Sequence, residues 1–139
     1  MSYAIKIVPE RRTAFFRFSG EVDAREARQA FLDYIRSPGF DPTHTMVTDA
    51  RDVTEMRIRF GEVVAGVIGL MRALTVFKEP VRSIILVSDA DSYVRVRLLD
   101  QVLETASNIR VEVVRDEGEA LTKAGHAGES LATLMRGAA

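Results

Sequence analysis

The residues equipped for chemistry gather just after two apolar stretches. Asp49, Arg51 and Asp52 follow TMVT at 45–48, and Ser88, Asp89 and Asp91 follow SIILV at 83–87. Arg57 and Arg59 come next to the first group, ahead of a long apolar run. If the two stretches are strands of an open α/β sheet, their carboxyl ends are where a ligand binds. Asp49, Arg51, Asp52, Arg57, Arg59, Ser88, Asp89 and Asp91 therefore form one candidate cleft for a ligand or partner. Its four aspartates offer the carboxylate oxygens that Mg²⁺ takes. The three arginines beside them oppose a cation, however, and Asp and Ser serve turns and helix starts for purely local reasons. No metal site is expected. Arg57 and Arg59 before a helix start suit an anion, but two solvated side chains flanking a buried Ile58 are the simpler account.

Other chemistries find less support. His44 and His126 show no HxxxH spacing and no Ser or Asp partner of triad type, so both are expected at the surface. Tyr93 is expected to cover core at the start of its helix. The chain has no cysteine, which removes disulfides, thiolate catalysis and zinc–sulfur sites and fits a reducing compartment. Its 139 residues carry 19 basic and 20 acidic side chains, a net charge of −1. That balance argues against nucleic-acid binding by phosphate neutralisation. A phospho-receiver would share an acid at Asp49 and a hydroxyl at Ser88, but Arg12 stands where it needs acids and Arg115 where it needs a lysine. No catalytic residue and no cofactor are assigned.

The elements that must position these residues are legible from periodicity. Residues 4–8 alternate as a half-exposed strand, a turn follows at 9–12, and 13–19 form a second strand, making an antiparallel hairpin. Phe16 and Phe18 lie on one face of it and Phe15 and Arg17 on the other. Asp23 opens a helix with Glu26 three residues later, a capping-box pattern, and Ala27, Ala30, Phe31, Tyr34 and Ile35 form its apolar stripe. A strand at 45–48 is expected to lead through a polar loop at 50–59 into a helix over 60–77. That helix is apolar nearly all round, so it needs cover on two sides. Glu62, Arg72, Gly66 and Gly69 make it a poor membrane span; the glycines are expected to permit close approach of another backbone. SIILV predicts a parallel strand covered on both faces. The helix at 93–106 is expected to turn Val94, Leu98, Leu99, Val102 and Leu103 inward. A strand at 110–114 and a helix from 116 follow. The segment from 125 is expected as a loosely attached tail or short helix docking through Leu131, Leu134 and Met135. The result is one α/β domain over residues 1–139 with a mixed sheet in the order ββαβαβαβα. The opening MSYAIKIVPERR has no long apolar stretch of the signal-peptide kind, so a cytoplasmic location is expected.

This order, with the strings FSGEVDAREARQAFLDYIRSPGFDPTHTMVTDARDVT, VRSIILVSDADSYVRVRLLDQVLE and VEVVRDEGEAL, resembles the SpoIIAA-like group of STAS-like proteins over about residues 3–124. The resemblance implies a STAS-type fold and a non-enzymatic module that binds protein partners. Regulatory STAS proteins carry a phosphorylatable serine in an Asp-Ser-Ser/Thr-Gly motif at the start of the second helix. Laid onto this chain, the motif falls near Arg57, Ile58, Arg59 and Phe60, none of which has a hydroxyl. The nearest is Thr54. The Trp-Leu pair frequent in the group's last helix is also missing, since the chain has no Trp.

The leading expectation is a bacterial-type STAS-like regulatory module that binds protein and lacks the phospho-switch. A homodimer is expected through the apolar helix, with Val64, Ile68, Met71 and Val76 as the candidate dimer or apolar-ligand surface. The alternatives are a small-molecule or lipid carrier using the helix at 60–77, and an enzyme using the strand-end Asp and Arg. A cavity beneath the apolar helix would favour the carrier.

Overall fold

In the computed structural model, which describes residues 2–138, β1 (Ser2–Val8) and β2 (Thr13–Asp23) precede α1 (Ala24–Ile35). Next come β3 (Thr45–Arg57), α2 (Phe60–Leu74), β4 (Val81–Leu86), α3 (Ala90–Ala106) and β5 (Ile109–Val114), then α4 (Glu117–Lys123) and the single turn α5 (Leu131–Leu134). The five strands lie in chain order across the sheet. The β1–β2 pair is antiparallel and every later neighbour is parallel, so the expected mixed α/β sheet is what the chain forms. Each parallel step needs a crossover, and crossovers are right-handed by the rule of strand twist. Three steps in one direction put α1, α2 and α3 on a single face. The other face is left for α4 and α5.

Alternation along the strands fills both faces. Phe15, Val47, Ile84, Leu86 and Val114 form the core under α4 and α5, with Leu121, Leu131, Leu134 and Met135. Phe16, Met46, Ala50, Ile109 and Val111 face α1–α3. The docking side expected for the last segment is thus buried. The capping box at Asp23 is present: its Oδ1 accepts from Glu26 N at 2.8 Å, and Glu26 Oε2 accepts from Asp23 N at 3.5 Å.

Several local expectations are corrected. The polar stretch at 50–59 is mostly strand: β3 spans 13 residues to Arg57, and β2 runs past Ser19 to Asp23. Those extensions pair with each other, Gly20 with Val53, Val22 with Met56 and Asp23 with Arg57, whereas β4 meets only Met46 to Asp49 of β3. A two-stranded ribbon beyond the sheet satisfies its backbone by pairing and needs few apolar side chains, so its composition reads as loop. Gly20 sits in it at φ 75, next to a break in register, a conformation that glycine adopts without cost from a Cβ.

Helix α2 ends at Leu74, and Val76 and Phe77 lie beyond it. Gly66 and Gly69 admit no neighbouring backbone: a Cβ added at either meets nothing within 4 Å. Helix α3 begins at Ala90, where Asp89 Oδ1 accepts from Ser92 N at 2.7 Å. Its phase also differs from the expected one. Val94 is 60% exposed and Leu98 38%, while Val96 is buried. Apolar residues at 94, 96, 98, 99, 102 and 103 cover most of the helix circumference, so the pattern alone leaves its rotation open.

Both histidines are buried rather than at the surface. Arg11 Nη1 donates to His126 Nδ1 at 3.1 Å, and Nε2 lies 2.9 Å from Thr13 Oγ1, which donates to the Arg11 carbonyl. Glu129 completes the group, 3.4 Å from His126 Nδ1 and 2.6 Å from Arg11 Nη1. Thr13 is 1% exposed, so no substrate reaches its hydroxyl. The cluster fastens the last segment to the β1–β2 turn.

Candidate functional site

The face of the sheet under α1–α3 is not completely filled. A cavity of about 290 Å³ lies between it and the three helices. Phe16, Met46, Thr48, Ser83, Ile85 and Val111 form its floor; Ala27 and Phe31 of α1, Val63, Gly66, Val67 and Leu70 of α2, and Val96, Leu99 and Leu103 of α3 form its walls. The β2–β3 ribbon contributes Val22 and Met56, which are register partners. The local cause is small side chains where large ones would close the gap: Ala24, Ala27 and Ala30 on α1, Ala50 on β3 and Gly66 on α2 all line it. Protein interiors normally leave few voids larger than a water molecule, so this space is a feature to be explained.

Charged side chains line the cavity at three positions, Arg28, Glu62 and Arg95, all exposed at its outer margin. Arg95 Nη1 donates to the Met56 carbonyl at 2.5 Å, tying α3 to the end of the ribbon. Glu62 Oε1 accepts from Arg59 N at 3.0 Å at the start of α2. Arg28 has neither a hydrogen bond nor an ion pair among the described residues.

Five of the eight strand-end residues fall into three separate groups. Asp49, 7% exposed, is gripped by Arg51 through Nε at 3.0 Å and Nη2 at 2.9 Å, and Arg51 Nη2 also reaches Glu117 at 3.0 Å. Burial alone would raise the Asp49 carboxyl, but the hydrogen bonds and charge of Arg51 outweigh it and hold the group below the usual carboxylate range. Arg57 lies at the far end of the ribbon, paired with Glu21 and Glu55 at 3.2 Å each. Ser88 and Asp89 serve the start of α3; Asp89 is held low by the Ser92 backbone N–H first and by the two serine hydroxyls. Asp52, Arg59 and Asp91 are exposed. Among the described residues no three His, Cys, Asp or Glu side chains gather as ligands for a metal. None of the eight lines the cavity.

The proposed apolar surface divides in two. Ile68 is 64% and Met71 47% exposed, Val64 is half-buried, and Val76 packs against the core. Phe60, Tyr93, Val94 and Leu98 are exposed as well, all on α2 and α3. Sequence reasoning anticipated an apolar helix with a wet side and a possible cavity beneath it. It missed the small residues of α1 that make the space, because a short alanine reads as ordinary helix-forming composition.

Architecturally this is an α/β domain with three helices on one face of a mixed sheet and an apolar cavity beneath them. Compared with protein-family models and with curated proteins, the chain matches none. Among solved structures it is similar to the anti-sigma factor antagonist SpoIIAA in its unphosphorylated form, at 21% identity over 88% of this chain and 96% of that one, with a TM-score of 0.48. No residue's role is carried over at that identity. Among the described residues no helix is long and apolar enough to cross a membrane.

Proposed function

We propose that the protein is a non-catalytic binding module whose ligand is a small apolar molecule held beneath α2. The single observation that carries this reading is the apolar cavity of about 290 Å³ under α1–α3. Its volume sits at the lower end of natural ligand pockets, about 300–1,000 Å³, which suits one short chain or one ring system. Apolar cavities of even about half this size stay dry and take up apolar solutes. Among the described residues Thr48 and Ser83 provide the floor hydroxyls, and no histidine or aspartate lines the space with them. The test is titration of the ¹⁵N-labelled protein with decanol. Saturable shifts at Gly66, Val67, Thr48 and Ser83, lost in Gly66→Leu, support the reading. Shifts confined to Ile68 and Met71, or none, overturn it.

A second reading rests on the opposite side of α2. Ile68 and Met71 of α2 and Val94 of α3 are exposed on two helices that pack side by side, and none of the three lines the cavity. Contiguous apolar patches of this kind mark contact surfaces, and a two-fold pair is the commonest way for a chain to cover one. On this reading the protein binds protein, in the first place a second copy of itself. Sedimentation equilibrium at micromolar concentration decides: a mass of 15.4 kDa sinks the dimer. If a dimer is found, Ile68→Glu dissociates it without loss of helix signal in circular dichroism.

A further inference from the structure

The reading of the cavity as a ligand site leaves open what the ligand's polar end is, and the charges at the margin bear on that. Of the three charged side chains there, Glu62 already caps α2 through the Arg59 N–H. Arg95 spends one N–H on the Met56 carbonyl and keeps others of its five donors. Arg28, on α1, is without a partner among the described residues. Together they leave the margin with one net positive charge. Among the described residues the polar side chains inside are two hydroxyls on the floor, Thr48 and Ser83.

Resting on that reading, we propose that the ligand is a small apolar monocarboxylic acid, its hydrocarbon body in the cavity and its carboxylate at the margin, where the positive charges of Arg28 and Arg95 outnumber the negative charge of Glu62. A guanidinium presents its donors in a planar fork that matches a carboxylate, and such charge-assisted bonds are roughly twice as strong as neutral ones. A single negative charge balances the margin; a cationic head meets Arg28 unfavourably. A buried carboxylate without a partner would be costly, so the acid must enter hydrocarbon first. That orientation also keeps its head within reach of water, where it needs no further protein partner. The volume suits one short chain.

The experiment compares decanoate, decanol and decylamine by isothermal titration calorimetry at low ionic strength and pH 7.5. Decanoate is expected to bind about tenfold more tightly than decanol, and decylamine more weakly than either. Arg28→Gln and Arg95→Gln should each reduce the ratio of decanoate to decanol affinity, and added salt should reduce it too. Equal binding of decanoate and decanol, or a preference that survives both substitutions, overturns the carboxylate assignment and leaves the cavity reading standing. Binding of none of the three overturns the cavity reading, and this assignment with it.

Discussion

Replacing Gly66 by leucine should stabilise the protein and close the cavity in one step. Gly66 lies within α2 and lines the space, and an added Cβ meets nothing within 4 Å. Two contributions add. Removing a glycine from a helix interior is worth up to about 1 kcal/mol relative to Ala. The three carbons that leucine adds beyond Ala gain about 0.8 kcal/mol each if they enter the cavity, offset by about 0.5–1 kcal/mol of lost rotamer freedom. The expected gain is therefore about 2.5 kcal/mol, a rise in Tm of about 10 °C for a chain of this length. Gly69 provides the control. It is also in α2 and open around its Cβ, but it does not line the cavity, so Gly69→Ala should gain only the helix term. Differential scanning calorimetry of Gly66→Ala, Gly66→Leu and Gly69→Ala separates the two. If Gly66→Ala stabilises and Gly66→Leu destabilises, there is no room beneath α2 and the binding reading falls with it.

Further outcomes follow from other parts of the molecule. The Tyr34 hydroxyl is buried without a hydrogen-bond partner, and burial pushes its pKa up; Tyr34→Phe keeps the edge-on packing against Phe16 and Phe40. It should leave stability unchanged or raise it by about 1 kcal/mol, and a comparable loss in urea unfolding would mean that the hydroxyl is satisfied. Asp49 titrates below its ordinary value of 3.8 in the folded state, so its pairing with Arg51 stabilises fully above that value and is lost as pH falls below it. Asp49→Asn should therefore cost about 1 kcal/mol at neutral pH, since Arg51 is partly solvated, and should flatten the acid limb of stability below about pH 4; an unchanged limb counts against the pairing. Incubation with ATP and an anti-sigma-type kinase should leave the chain unmodified, because residues 57–60 carry no hydroxyl. Stoichiometric phosphate on Thr54 by mass spectrometry would contradict this.

What the sequence determined by itself was whatever depends on local period and local chemistry. Alternation located β1 and β2, the unbroken SIILV run located the doubly covered β4, and Asp23 with Glu26 located the start of α1, because these signals act within a few residues. From strand–helix alternation followed the mixed sheet, since crossover handedness leaves few arrangements. The tertiary structure alone decided where pairing and burial override composition. Residues 50–57 are strand because β2 lies beside them, not because their side chains favour it. The rotation of α3 was settled by which side meets α2 and β5, since apolar residues at 94–103 fit more than one. Burial of His126 required Arg11, Thr13 and Glu129 to converge from distant parts of the chain. The cavity is the extreme case: each alanine and glycine that lines it is unremarkable in sequence, and the space exists only where α1, α2 and β3 bring their small residues to face one another. Packing is a property of neighbours in space, so no window of sequence records it.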